Sequence, residues 1–165
     1  MHLSEEQIKE MSELYKQQIE VPSKDLIPSR QFILCPVGLV GAGKTTVVKP
    51  LSEKLNMVRI STDEMRKLLK QRLFSYDQLK AMLEPILLEF AQQGHSITID
   101  ADCGSPKTKE VVEKAAEVFD ARVFWIHINP PEEFILNKLR TYKHTWLFDD
   151  GEHAVRNYFQ QKEKR

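Results

Sequence analysis

The chain has 165 residues and a mass of 19.2 kDa, which suits one domain with a short appendage and suffices to bury a core without staples. Hydrophobic residues at 41% and charged residues at 29% are ordinary globular usage and exclude general disorder. Lys plus Arg and Asp plus Glu number 24 each, so no global positive field exists to gather nucleic acid. No apolar stretch approaches the roughly 18–20 residues needed to span a bilayer. The start, Met1 to Glu6, is polar and acidic and does not read as a signal peptide. Cys35 and Cys103 make no disulfide framework, and neither has a Cys or His at metal-ligand spacing. The expectation is a soluble, cytoplasmic protein.

The first element predicted is a helix over about 4–20. Ser4 and Gln7 form a capping-box pattern, with Leu3 and Ile8 as its hydrophobic staple. Ile8, Met11, Leu14, Tyr15 and Ile19 then recur at helical spacing. Pro22 and Pro28 bracket a connector, so residues 1–30 read as a helix and linker and 31–165 as the domain proper. Residues 31–37 are a short apolar run, a buried strand whose pairing should fade at Pro36. A Gly-rich turn at 38–43 leads into a helix at about 44–55, and 57–60 is a second strand. Ser61 with Glu64, and Ser75 with Gln78, look like two more capping boxes. They open helices to about 72 and to about Gln93, the second stapled by Phe74 and Leu79, kinked at Pro85 and stopped by Gly94. Ser96–Asp100 is a third strand, and Ser105-Pro106 opens the next helix. Arg122–Asn129 is a fourth strand, followed by helices from 129 to about 143 and over about 150–163. Strands alternating with helices mean βαβ units and a parallel sheet, whose ligands sit beyond the carboxyl ends of the strands.

The first such end reads Gly38-Leu39-Val40-Gly41-Ala42-Gly43-Lys44-Thr45, the full G-x-x-x-x-G-K-[ST] pattern of a P-loop. Glycines let the backbone fold into a nest of N–H groups around phosphate oxygens. The helix that follows adds unpaired donors and a partial positive charge. Gly38, Gly41, Ala42, Gly43, Lys44, Thr45 and Thr46 are therefore the candidate nucleotide-binding residues. Lys44 is placed to reach the β- and γ-phosphates of ATP, and the Thr45 hydroxyl to hold Mg²⁺. The alternative is a turn that only joins strand to helix. From average residue usage the pattern arises by chance in a chain this long on the order of once in a hundred. The motif specifies a triphosphate site and not a reaction. Asn137-Lys138-Leu139-Arg140 lacks the Asp of a GTPase base-reading motif, and no Asp-x-x-Gly switch follows the third strand. Small kinases fit best.

The second strand runs into Ser61-Thr62-Asp63-Glu64-Met65-Arg66. Asp63 and Arg66 lie three apart, on one face of a helix start. A carboxylate there can take the proton of an attacking hydroxyl, and an Arg can grip a substrate phosphate. Equally, acidic first-turn residues are favoured by the helix dipole, and the Arg can be a surface partner. The order P-loop, then Ser-Thr-Asp-x-x-Arg, resembles the polynucleotide-kinase-like branch of P-loop kinases over roughly residues 31–143. Gluconate, shikimate and adenylylsulfate kinases and the zeta-toxin group look similar at this level. The resemblance implies that Asp63 is the catalytic base and that Asp63 and Arg66 bind the acceptor. It also implies a P-loop NTPase three-layer α/β sandwich with a parallel sheet of about four strands in the order 2-3-1-4.

Ile97-Thr98-Ile99-Asp100 ends in a carboxylate suited to Mg²⁺, or alternatively to capping the next loop. Where the family continues Asp-Ala-Thr-Asn, with an Arg further on, this chain has Asp100-Ala101-Asp102-Cys103 and Lys109. Asp102 would set a second anion near phosphate. A lid is expected at Lys138, Arg140, Lys143 and His144, with Arg140 as its catalytic cation and Arg156 as a second candidate. Trp146, Leu147 and Phe148 read as packing groups, and His95, His127, Cys35 and Cys103 are assigned no role. The expected activity is ATP- and Mg²⁺-dependent phosphoryl transfer to a hydroxyl acceptor: a nucleic-acid 5′-end, a nucleoside, a sugar or another small molecule. The alternative is a nucleotide-binding regulatory or adaptor module without efficient turnover.

Overall fold

The computed structural model describes residues 3–75, 77–141 and 148–164. Four strands, β1 (Phe32–Val37), β2 (Val58–Ser61), β3 (Ile97–Asp100) and β4 (Arg122–His127), form one parallel sheet in the order β2-β3-β1-β4. The helices are α1 (Glu5–Lys16), α2 (Lys44–Lys54), α3 (Thr62–Gln71), α4 (Leu79–Gln92), α5 (Pro106–Val118), α6 (Glu132–Arg140) and α7 (Gly151–Glu163). This is the α/β P-loop NTPase-like fold, with the strand order that the family resemblance implies.

Side chains alternate across the strands, so each face of the sheet gathers its own cluster. Ile33 and Cys35 of β1 join Val58, Ile60, Ile97 and Ile99 on one face, under Met65, Leu69, Met82, Ile86, Leu87, Val112 and Ala115 of the helices. Leu34 faces the other way and packs with Val48 of α2 and with Met57. Met11 and Tyr15 of α1 are fully buried in the larger cluster, so the first helix is part of the main core. A third cluster joins α6 and α7 to the Gly-rich loop: Ile135, Leu139, Ala154 and Tyr158 pack on Ala42.

Several boundaries differ from the sequence reading. The first helix stops at Lys16 rather than near residue 20, although its Ser4–Gln7 capping box forms. β1 keeps pairing with β4 through Pro36 and Val37. The Pro36 carbonyl accepts from Cys103 N–H on the β3 side, so the N–H that proline lacks is lost beyond the end of the β1–β3 pairs and not from the β4 ladder. Ser61 caps α3, but the Glu64 side chain goes to Arg59 instead of closing a box. The box at Ser75 and Gln78 is absent, and α4 starts at Leu79. Ser75 bonds Asp77, and the Gln78 amide is spent on the backbone of Leu3. α4 runs on through Pro85.

The Tyr15 hydroxyl accepts from Ser61 N–H at 2.7 Å and donates to Ser61 C=O at 3.2 Å. Burial pushes this phenol well above its usual range. The clamp holds the end of β2, where α3 begins. Replacement Tyr15→Phe orphans both groups of Ser61 and should cost about 1–3 kcal/mol of unfolding free energy. Urea denaturation measures this, and an unchanged midpoint contradicts the clamp.

Candidate active site

Parallel strands end at a common edge, and the P-loop, the start of α3 and the end of β3 meet there. They surround a cavity of about 400 Å³ whose lining includes Lys44, Thr45, Asp63, Arg66 and Asp100. A larger groove of about 720 Å³ lies elsewhere, between α2, α3 and residues 18–26, and carries none of the candidate site residues. The smaller cavity is therefore the candidate site.

The P-loop is built for backbone exposure. Gly43 holds φ +91° at the start of α2, and a Cβ there would meet nothing within 4 Å. Its mouth is open for a ligand, and no side chain caps α2. Gly41 is tight for the opposite reason. With φ +79°, its Cβ would lie 2.9 Å from the Leu139 side chain. The Lys44 ammonium donates to the Gly38 and Leu39 carbonyls at 2.9 and 3.0 Å, bridging back across the loop. Ala42 N–H donates to Leu39 C=O at 3.1 Å. Thr46 is exposed in the first turn of α2.

Thr45 Oγ1 donates to Asp100 Oδ1 at 2.9 Å, so the two expected metal ligands stand side by side. Both are hard oxygen donors, which fits Mg²⁺. Asp100 Oδ2 receives Arg59 Nε at 2.9 Å and Nη2 at 2.8 Å. Burial pushes the Asp100 carboxyl up, against the lowering by Arg59 and Thr45. Asp63 and Arg66 form an ion pair, Nη1 to Oδ1 at 2.6 Å. Both are about two-fifths exposed, so the contact adds little to stability and leaves the pair available to a ligand. Asp102 also lines the cavity. Its Oδ1 accepts from Gly104 N–H at 3.2 Å and Gly38 N–H at 3.4 Å, which explains how a further carboxylate is accommodated beside the loop.

The fourth wall comes from α7. His153, Asn157 and Gln161 follow one another at four-residue spacing and line the cavity together. Gln161 Oε1 accepts from Val40 N–H at 3.0 Å, pinning the helix to the P-loop. Tyr158 and Lys162 anchor it to Glu132 of α6. The expected contribution of Arg156 is not what α7 supplies: Arg156 is exposed and faces Glu152 at 3.8 Å. Arg140 is not brought to the cavity either. It ends α6 in an exposed position, with Nη1 3.5 Å from Asn137 Oδ1. Lys143, His144, Trp146 and Leu147 lie outside the described residues. Phe148 is buried as a packing group and also borders the cavity. Lys109 pairs with Glu113 at 3.6 Å on the exposed side of α5. Cys35 and Cys103 are both buried; Cys103 Sγ donates to Ile99 C=O at 3.6 Å, and the neighbouring Cys35 thiol together with burial pushes the Cys103 thiol up.

A family model described as an AAA domain matches residues 33–161. The chain belongs to this P-loop NTPase family. No curated protein sequence matches it. Among solved structures, the PezAT chromosomal toxin-antitoxin system of Streptococcus pneumoniae is similar over 98% of this chain and 73% of its own, with 18% identity and a TM-score of 0.68. The Mycobacterium tuberculosis APS kinase CysC, solved with AMPPNP and APS, is 20% identical over 69% of this chain and 71% of its own, with a TM-score of 0.53. Shikimate kinase from Acinetobacter baumannii, solved with shikimate, is 18% identical over 87% and 81%, with a TM-score of 0.50. At these identities the likeness is one of fold. Among the described residues no helix is long and apolar enough to cross a membrane.

Two site elements escaped the sequence reading. Arg59 had a signal: a charged residue inside Val58-Arg59-Ile60 demands a partner. The His153, Asn157, Gln161 row had a weaker one, its helical spacing. Gln161→Ala should release Val40 N–H at a cost of about 1 kcal/mol, so that this amide exchanges roughly five-fold faster. Hydrogen exchange by NMR reads it directly, and an unchanged Val40 rate removes the pin.

Proposed function

We propose that this protein is an ATP-dependent kinase that transfers the γ-phosphoryl group to a hydroxyl of a small acceptor. The observation that carries the reading is the single cavity that gathers Lys44, Thr45, Asp63, Arg66 and Asp100 from three strand ends. The uncapped start of α2 and the open face of Gly43 suit a triphosphate, and Lys44 stands at the loop to meet its outer phosphates. Thr45 and Asp100 would hold Mg²⁺, which supplies charge neutralisation on the phosphate oxygens.

On the opposite wall, Asp63 would orient the acceptor hydroxyl and take its proton, while Arg66 turns from Asp63 to an anionic group of the acceptor. The bond from the acceptor oxygen to the γ-phosphorus forms as the bond to the β,γ-bridging oxygen breaks. ADP and the phosphorylated acceptor result, and the proton rests on Asp63. Support for a small acceptor comes from cavity size and charge. About 400 Å³ is shared with the triphosphate end, and Lys44 and Arg66 are offset by Asp63, Asp100 and Asp102. The similar APS and shikimate kinases, whose solved complexes hold APS and shikimate, lend the same direction.

The test is nucleotide consumption with Mg²⁺ across a panel of small hydroxyl compounds and an oligonucleotide with a free 5′-hydroxyl. Turnover on a small compound is the expected outcome. ATP binding without turnover on any of them would favour the regulatory module instead. Lys44→Ala should cut turnover by at least about a hundred-fold, through lost electrostatic stabilisation. Asp63→Asn should abolish transfer while ATP affinity, read by calorimetry, stays within about two-fold; equal loss of both removes the base assignment.

A further inference from the structure

The cation held against Asp100 belongs to the protein itself. Arg59 sits in the middle of β2, opposite Thr98, while Ser61 stands opposite Asp100. Arg59 and Asp100 are thus diagonal neighbours on one face of the sheet. Nε and Nη2 of Arg59 converge on Oδ2 of Asp100, and Nη1 reaches Glu64 Oε1 at 2.9 Å. Thr45 takes Oδ1. Both oxygens of a carboxylate with 2% exposure are therefore engaged, and its charge is balanced before any ligand arrives.

That arrangement has a consequence for metal binding. A divalent ion arriving alone finds a neutralised carboxylate and the like charge of a guanidinium beside it, so little attraction remains. An ion arriving on a triphosphate brings compensating negative charge with it. Arg59 also lines the groove of about 720 Å³, the side to which its guanidinium would turn on leaving Oδ2. We propose that Arg59 is a positioning residue that makes divalent-metal binding at Asp100 conditional on nucleotide, by holding Oδ2 until the phosphates arrive. The link to Glu64, next to Asp63, ties the same guanidinium to the helix that carries the proposed base. The inference rests on the nucleotide-binding reading above, but its central claim concerns metal affinity in the absence of nucleotide.

The experiment is a titration of the full chain with Mn²⁺ alone, followed by electron paramagnetic resonance, on wild type, Arg59→Met, Arg59→Lys and the double variant Arg59→Met/Asp100→Asn. Without Arg59 the buried carboxylate is uncompensated and should recruit the ion. Arg59→Met should bind Mn²⁺ about ten-fold more tightly than wild type, and the double variant should lose that gain. Arg59→Lys, which keeps the charge but not the fork, should gain about three-fold. A merely structural ion pair would lower the melting temperature of Arg59→Met and leave its Mn²⁺ affinity at the wild-type value, and that result overturns the proposal. If Arg59→Met does not fold, Arg59→Lys decides: a gain of two-fold or more supports the gate, and none overturns it. A thermal shift of the wild type with Mg²⁺ and ATP is read separately. Its absence would defeat the nucleotide reading, whereas a clear shift with unaltered Mn²⁺ affinities would defeat the role of Arg59 alone.

Discussion

The hydrogen bond from Thr45 to Asp100 ties the first turn of α2 to the end of β3, and the candidate site is organised around it. It can form because β1 and β3 are parallel and adjacent, with Ile33 opposite Ile97 and Leu34 opposite Thr98. That register brings the residues after both strands to the same edge. β2, paired in turn with β3 so that Ser61 faces Asp100, delivers Asp63 and Arg66 to that edge as well. Three segments far apart in sequence become one cavity through the strand register, and a shift of one residue would turn every side chain to the opposite face.

Charge in the site is balanced by the protein itself. Lys44 is bonded to loop carbonyls, Arg66 to Asp63, and Arg59 to Asp100 and Glu64. Burying unpaired charges would be costly, and these contacts avoid that cost in the absence of ligand. They differ in strength. The Asp63–Arg66 pair is half-exposed and easily exchanged for a substrate, whereas the Arg59–Asp100 pair is almost enclosed. The contact at Asp63 and Arg66 is therefore a soft one and the contact at Asp100 a firm one.

The packed pair of α6 and α7 contributes in another way. Its apolar side grips the P-loop through Ala42, and the polar row of α7 faces the cavity. Packing there makes Gly41 a steric requirement as well as a conformational one, because Leu139 fills the space a side chain would need. At one limit of the sheet, β4 is an edge strand that leaves Phe124 and Trp125 partly exposed, although it is rich in Val, Phe, Trp and Ile. Composition alone does not distinguish an edge from a centre, since the difference lies in what stands beside the strand.

Local patterns by themselves determined much of this protein. The sequence G-x-x-x-x-G-K-T, the alternation of apolar runs with helical periodicity, and caps such as Ser4, Ser61 and Ser105 act over a few residues, and they specified the P-loop, the layered class and most element boundaries. The strand order came from the family resemblance that the motifs carry. What depended on distant partners was decided only in three dimensions. Gln78 looked like a capping residue but is spent on Leu3, Arg156 looked toward the site but its neighbour one residue on lines it, and Arg59 met Asp100 across 41 positions of chain. A side chain's local options are written in its neighbours in sequence. Which option it takes depends on the groups that folding brings within hydrogen-bond reach.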